Sequence, residues 1–282
     1  MDKDLALKLR QLRELLEGLG SAAVAFSGGV DSTFLLAVTA EVLGDKALAV
    51  IGRSPTYPER EYSSAVKYAE NLGVRFRVID TCELDVPGFK DNPPDRCFHC
   101  KQTLFGSIWE VAREEGIANV LEGSNADDAG DFRPGMEAAR GLNVRAPLLE
   151  VGLSKDEIRT ISREMDLPTW SKPAFACLSS RIPYGEEINV EKLARIEKSE
   201  NALRDMDLGQ LRVRDHGAVA RIEVEPAMVA TLAEPELRHR IVAELKGAGY
   251  SFVCLDLQGY RTGAMNEVLT QDQKSAAREH EQ

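Results

Sequence analysis

The sequence predicts an α/β protein: a doubly wound parallel sheet followed by a smaller α+β domain. Three observations lead there. Short apolar runs alternate with stretches of helical periodicity through the first half of the chain, as expected of parallel strands covered by helices on both faces. The alternation fails between Trp170 and Gly185, a segment with two prolines and no clean periodicity. Beyond it the order changes to helix, paired strands, helix and strand, and 282 residues are enough for one large and one small domain.

Leu5, Leu9, Leu12, Leu16 and Leu19 recur at spacings of four, three, four and three, which lines one face of an opening helix. Ala22 to Phe26 is then a buried strand, a glycine-rich turn follows, and Val30 to Leu43 is helical. Ala47 to Ile51 supplies the next strand and completes a βαβ unit. The pattern continues with a helix near Glu59 to Leu72, a strand at Val74 to Ile79, a helix near Cys97 to Glu115 and a strand at Asn119 to Glu122. Pro93-Pro94 interrupts it, and Asp127 to Gly141, rich in Gly, Asp and Arg, is expected as a loop; both are placed to wall an active site. Ser154, with Glu157 three residues on, caps a helix reaching about Met165. The junction is placed near the end of 170–185, giving domains of 1–184 and 185–270. The second reads as a helix over Val190 to Met206, strands joined at Asp215-His216-Gly217, a helix near Pro235 to Lys246 and a strand at Phe252 to Leu257. From Gln271 the chain is polar, and 271–282 is expected to be a disordered tail.

Hydrophobic residues at 43% and charged residues at 29% are ordinary globular values and exclude fibrous and disordered classes. The longest apolar runs fall far short of the roughly 20 residues of a membrane span. Met1 opens onto Asp-Lys-Asp rather than a basic stretch before an apolar core, so a soluble cytoplasmic protein is expected. With 35 basic and 46 acidic residues the formal charge is −11, which disfavours a nucleic-acid partner. Five cysteines, an odd number, do not suggest a disulfide framework.

Ser27-Gly28-Gly29-Val30-Asp31-Ser32-Thr33 lies between the first strand and its helix. Two glycines let the backbone approach an anion, while exposed amides and the positive helix end favour phosphate. Ser27, Ser32 and Thr33 add hydroxyls; Asp31 would repel a bare phosphate but suits one bridged by magnesium. No Gly-Lys-Ser/Thr follows, so the loop is not of the Walker type, and the dinucleotide fingerprint is also missing. In doubly wound sheets ligands lie beyond the carboxyl ends of the strands. Arg53 and Ser54, after the second strand, and Gly123 to Asp128, including Asn125, after the fourth, should therefore face the nucleotide, with Asp128 as a second magnesium carboxylate. For that last cluster a solvated Asx-rich turn is the alternative.

Cys97-Phe98-His99-Cys100 opens a helix, where residues three apart share a face and the positive helix end favours thiolates. Cys177 follows within Lys172-Pro173-Ala174-Phe175-Ala176-Cys177-Leu178-Ser179-Ser180-Arg181. Three thiolates do not complete a structural zinc site, and His99 is carried off the Cys97/Cys100 face. Three cysteines holding a [4Fe-4S] cluster would leave one iron open to a sulfide. A lone Cys-x-x-Cys is weak evidence on its own, with zinc or redox readings comparable.

The Ser-Gly-Gly-Val-Asp-Ser loop resembles the pyrophosphate (PP) loop of the ATP pyrophosphatases, the adenine nucleotide alpha hydrolase-like superfamily of NAD synthetases, GMP synthetases, asparagine synthetases and tRNA thiolases. That implies cleavage of ATP to AMP and pyrophosphate with adenylation of a substrate oxygen. Pro168 through Gly185, centred on Cys-Leu-Ser-Ser-Arg-Ile-Pro-Tyr-Gly, together with Arg-Cys-Phe-His-Cys-Lys at 96–101 and Gly259-Tyr260-Arg261-Thr262-Gly263, resembles the LarE sulfur transferases of nickel-pincer nucleotide biosynthesis. The resemblance runs to about Leu269. It implies conversion of the two carboxylates of pyridinium-3,5-biscarboxylic acid mononucleotide into thiocarboxylates, with ATP and Mg2+. Some members sacrifice the sulfur of the cysteine matching Cys177, leaving dehydroalanine; those rely on one cysteine. Carrying Cys97 and Cys100 as well, this sequence resembles the branch whose three cysteines hold a [4Fe-4S] cluster. A sulfide donor, nickel-inserting and lactate racemase-type proteins downstream, and a homo-oligomeric state are further expectations of the same kind.

An acidic chain must still hold an anionic substrate. Leu211-Arg212-Val213-Arg214 alternates like a strand, sending both guanidinium groups to one face. Arg212 and Arg214 are candidates for a substrate phosphate, with Ser180, Arg181 and Arg261 as further donors. The alternative is arginine paired with Glu223 or Asp207 on an exposed strand face. Cys82 and Cys254 are expected as small buried side chains, Trp109 as core, and Glu200 and Glu223 as solvated carboxylates. Two rival functions remain: a tRNA thiolase, disfavoured by charge, and an amide-forming synthetase, for which the cysteines would be incidental.

Overall fold

A computed structural model of the protein describes residues 2–130 and 134–276. The chain forms two compact units, the first of residues 2–83 with 95–175, the second of 84–94 with 176–276. Each is described by itself.

The first unit holds a parallel sheet of β1 (Ala22–Ala25), β2 (Ala47–Arg53), β3 (Phe76–Asp80) and β4 (Val120–Leu121), in the order β3-β2-β1-β4. Successive strands add to one side of β1, whereas β4 adds to the other, so the switch point lies between β1 and β4. Alternate residues of the strands serve opposite faces. Ala22, Val24, Ala47, Ala49 and Ile51 join one core with α1 (Lys3–Leu19), α2 (Val30–Leu43) and α3 (Glu59–Asn71). Ala23, Leu48 and Val50 join another with Phe105, Ile108 and Val111 of α4 (Arg96–Glu114). The leucine stripe of α1 is buried at Leu5, Leu9, Leu12 and Leu16, and Asp2 caps the helix by accepting the Leu5 N–H. β4 is shorter than the expected 119–122, and Arg145 adds an isolated parallel bridge to Leu121.

The expected loop over 127–141 is corrected: residues 134–141 form α5 (Pro134–Gly141). Pro134 starts it, which suits a first helical position. Buried Ala138 and Ala139 and the Trp109 Nε1–H donated to Leu142 O at 2.8 Å fasten this stretch to its surroundings. Tertiary packing overrides its glycine-rich composition. α6 (Pro147–Glu150) and α7 (Lys155–Glu164) complete the unit, and Ser154 and Glu157 make the expected capping box.

The second unit contains α8 (Val190–Arg204), α9 (Val229–Leu232), α10 (Pro235–Gly247) and α11 (Gln271–Ala276), and a sheet of β5 (Leu211–His216), β6 (Val219–Val224) and β7 (Phe252–Leu255). β5 and β6 are an antiparallel hairpin, and β7 joins β6 in parallel. Leu211 and Val213 face its core with Ala220, Ile222 and Val224. The division falls after Phe175 rather than at residue 184, and 84–94 belong with the later segment. Backbone bonds explain this: Gly185 N–H donates to Asn92 O at 3.0 Å and Ile188 N–H to Lys90 O at 2.8 Å, while the buried Asn92 amide donates to Ile182 O and Pro183 O. Residues 271–276 of the expected tail are helical, and 277–282 lie outside the described residues. Cys82 and Cys254 are exposed rather than buried; Cys254 shares the outer face of β7 with exposed Phe252. Among the described residues no helix is long and apolar enough to cross a membrane.

Candidate active site

At the switch point, Phe26-Ser27-Gly28-Gly29 turn the chain from β1 into α2. Gly28 sits at φ +60°, and a Cβ there would lie 3.0 Å from both Cα and Cβ of Ala65 on α3, so conformation and close approach both demand glycine. Gly29 is the N-cap of α2, and no side chain caps that helix end. Among the described residues no acceptor takes the N–H of Gly28 or Gly29. With the first-turn amides of α2 they form a donor-rich crevice. Ser27 Oγ and Ser32 Oγ lie 3.1 Å apart, and Ser32 Oγ also donates to Gly29 O. Thr33 is fully buried and Ser32 nearly so, which leaves Ser27 as the exposed hydroxyl of the loop.

The segment after β4 presses against the same helix end, because a Cβ on Gly123 would meet Ser32 N at 3.1 Å. Asn125 connects two carboxylates: its Nδ2 donates to Asp31 Oδ1 at 3.4 Å and its backbone N–H to Asp128 Oδ2 at 3.0 Å. Asp31 Oδ2 also pairs with Lys155 Nζ at 2.5 Å. Arg53, at the end of β2, donates from Nε to Asp80 Oδ1 of its paired strand at 2.7 Å and lies over the Tyr62 ring. Ser54 Oγ hydrogen-bonds with Thr56 Oγ1, which donates to the buried Glu83 carboxylate. Two lysines at the loop were missed from sequence. Besides Lys155, Lys172 donates from Nζ to Gly28 O at 2.9 Å and pairs with Glu61 Oε2 at 2.7 Å. Only the position of Lys172 at the head of the Cys177 segment could have flagged it.

Cys97 and Cys100 lie on the first turn of α4, Cys97 exposed and Cys100 half-buried, at a helix end with no side-chain cap and no acidic residue in its first turn. The N-cap itself is the buried Asp95. His99 turns its Nε2 to Asp95 Oδ2 at 3.5 Å. Within either unit, among the described residues, no three His, Cys, Asp or Glu side chains gather as a metal-holding group.

In the second unit the half-buried Cys177 opens a short 3-10 turn over Leu178–Arg181. Its carbonyl accepts three donors: Ser180 N–H at 3.1 Å, Ser180 Oγ–H at 2.8 Å and Arg181 Nη1 at 2.9 Å. Arg181 is wholly buried and pairs bidentately with Glu200, Nε to Oε1 at 2.8 Å and Nη2 to Oε2 at 3.0 Å. Arg204 Nη2 and Val213 N–H also donate to Glu200. Burial alone would raise the Glu200 carboxyl; the charge and hydrogen bonds of Arg181, then Arg204 and Arg212, outweigh it and hold the group down at about 2.

Arg214 follows the same pattern, donating from Nε and Nη2 to Glu223 and from Nη1 to Ser180 O. The expectation of solvated carboxylates at Glu200 and Glu223 is therefore corrected, since both are buried by arginine forks. Arg212 and Arg214 share a strand face as expected, but that face is buried too. Arg212 lies 5.0 Å from the Tyr260 ring centroid and donates to Leu211 O. Burial, then repulsion from Arg181, lowers its guanidinium to about 10. It is still protonated at neutral pH. Arg261 pairs with Glu267 at 3.2 Å.

The profile of the NAD synthase family matches residues 9–90, the part that carries the β1 loop. An uncharacterized protein of Synechocystis sp. is 40% identical over 263 residues, covering 93% of this chain and 98% of that one. Another, of Methanocaldococcus jannaschii, is 29% identical over 239 residues, covering 85% and 90%. The pyridinium-3,5-bisthiocarboxylic acid mononucleotide synthase of Lactiplantibacillus plantarum is 34% identical over 270 residues, covering 95% of this chain and 97% of that protein. A match of that extent leaves no unit of the fold outside it, and the chain belongs to the LarE-type family of that synthase.

Proposed function

We propose that this chain is the ATP-dependent sulfur transferase that converts the carboxylates of pyridinium-3,5-biscarboxylic acid mononucleotide into thiocarboxylates. The observation that carries the reading is the uncapped Gly28-Gly29 turn at the switch point, whose amides have no acceptor among the described residues. Carboxylates resist nucleophiles, so activation must come first. A substrate carboxylate oxygen attacks the α-phosphorus of ATP, the bond to the β-phosphate breaks, and pyrophosphate leaves against the loop amides. Sulfide then attacks the acyl carbon, a C–S bond forms, and the C–O bond to AMP breaks.

Asp31 and Asp128, joined through Asn125, fit a Mg2+ ion that takes its remaining ligands from phosphate and water, and Lys155 would yield Asp31 to it. Arg212, beside Arg181, fits a substrate phosphate, whose arrival would relieve the repulsion between the two guanidinium groups. Arg181 and Arg214 could join it only by giving up Glu200 and Glu223; Ser180 and Arg261 are further donors in this reading. Cys97 and Cys100, three residues apart at the start of α4, suit an iron–sulfur ligand pair, with Cys177 as the third. A [4Fe-4S] cluster so held would supply an open iron for sulfide. The product would pass to nickel-inserting and lactate racemase-type proteins in the cytoplasm, from a homo-oligomer.

Reconstitution tests this. Anaerobic protein given MgATP, sulfide and the pyridinium substrate should release pyrophosphate and AMP and yield product in which sulfur replaces carboxylate oxygen, read by mass spectrometry. Ammonia incorporation, or pyrophosphate release on addition of tRNA instead, would overturn it in favour of a synthetase or tRNA thiolase. Gly28→Ala, which puts a methyl against Ala65 at a left-handed position, should weaken MgATP binding at least about tenfold and cost about 1–3 kcal/mol of stability. Calorimetric titration beside a thermal melt checks both; an unchanged affinity would remove the turn from the nucleotide site.

A further inference from the structure

Behind the nucleotide loop stands a group of side chains with no part in the reaction as written. Tyr57 Oη donates to Ser27 O at 2.7 Å, and Lys172 Nζ donates to Gly28 O at 2.9 Å. These carbonyls belong to the peptide units that carry the N–H groups of Gly28 and Gly29. A trans peptide is planar, with its N–H directed opposite to its C=O. A donor fixing each carbonyl from behind therefore turns the matching N–H away from itself. Two successive glycines cannot supply this control, since without a Cβ their peptide planes rotate easily.

Both anchors are themselves held. Lys172 Nζ pairs with Glu61 and sits 5.4 Å from the Tyr68 ring centroid. The Tyr57 ring meets Phe175 edge-on at 5.9 Å between centroids. Burial, and secondarily the charge of Glu61, raises the Tyr57 hydroxyl far above its ordinary value, so it stays a donor across the physiological range. All of these residues belong to the first unit.

We propose that Tyr57 and Lys172 are positioning residues of the nucleotide loop, holding the Ser27 and Gly28 carbonyls so that the Gly28 and Gly29 amides stay aimed at the anionic oxygens of ATP and of the departing pyrophosphate. This rests on the ATP-dependent reading above. Preorganised amides need no reorientation when charge shifts to the leaving group. Neither residue follows from the loop motif, because both act through carbonyls on its far side.

The test measures binding of magnesium pyrophosphate and, separately, of adenosine to the full-length protein and to Tyr57→Phe, Lys172→Met and the double variant. Each single change should weaken pyrophosphate about three- to tenfold, the double change more, with adenosine affinity unchanged. The loss should persist from low to high potassium chloride, because orientation is not screened, whereas a through-space effect of the lysine charge would fade. Variants equal to the wild type, a parallel loss of adenosine and pyrophosphate, or a loss that disappears at high salt would overturn positioning while leaving the ATP reading intact. A wild type that binds neither pyrophosphate nor MgATP would overturn the ATP reading itself, and positioning with it.

Discussion

Glu200→Ala destabilises the protein more than Arg181→Ala, although the two residues face each other in one buried pair. Removing either partner strands a charge in the interior, which costs about 3–5 kcal/mol. Removing Glu200 does more: Arg181, Arg204 and Arg212, all of which act on that carboxylate, are left to repel one another. Removing Arg181 leaves Glu200 still paired with Arg204 at 2.7 Å. Thermal melts at neutral pH check the order, and the Glu200 variant should fall by at least roughly 10 °C. The reverse order would mean that Arg181 serves chiefly to hold the carbonyls of Ala176 and Cys177.

The pH dependence has a definite sign. The folded-state pKa of Glu200 is depressed from the ordinary 4.5 to about 2, so its stabilisation is complete above about 4.5 and is lost as pH falls toward 2. The depression corresponds to about 3 kcal/mol. Acid unfolding should therefore begin at higher pH in wild type than in an Arg181→Met/Glu200→Leu variant, once each is referred to its own stability at neutral pH.

The second large effect concerns sulfur. Cys177→Ala should abolish thiocarboxylate formation whether the cysteine is a cluster ligand or the sacrificed donor. Cys97→Ala separates the two. If three cysteines hold a [4Fe-4S] cluster, anaerobically purified wild type should be brown with about four irons per chain. Cys97→Ala should then lose both colour and turnover. If Cys177 gives up its own sulfur, Cys97→Ala should still make product, and the spent chain should lose the mass of one sulfur and two hydrogens. A colourless wild type that behaves in this second way would sink the cluster.

Much of the first unit was legible because its signals are local. The leucine spacing of α1 and the capping box at Ser154 and Glu157 each depend on neighbours in sequence, as does the alternation of Leu211 and Val213 in the second unit. The glycine turn could be read in the same way, since φ +60° at Gly28 is a demand of the turn itself. What stayed hidden is tertiary. α5 is held by Ala138, Ala139 and the Trp109–Leu142 bond, none of which a glycine-rich stretch announces. Which carboxylate an arginine takes is equally non-local: Arg181 and Glu200 are 19 residues apart, and composition made Glu200 a surface residue. Lys172 contacts a loop 144 residues earlier in the chain.

The threading of the chain has a consequence for its synthesis. Residues 84–94 leave the ribosome early, yet the Asn92 side chain bonds to Ile182 O, 90 residues later. Until Ile182 to Ile188 emerge, this segment has only its own internal turns, such as Phe89 N–H to Val86 O and Asn92 N–H to Phe89 O, and lacks the later stretch of chain that Asn92 and Lys90 bond to. The second unit thus closes only late in translation, and a fragment begun at Ala176 would lack the piece that completes it. A slow final step, sensitive to where translation pauses after residue 94, is what vectorial folding of this chain should show.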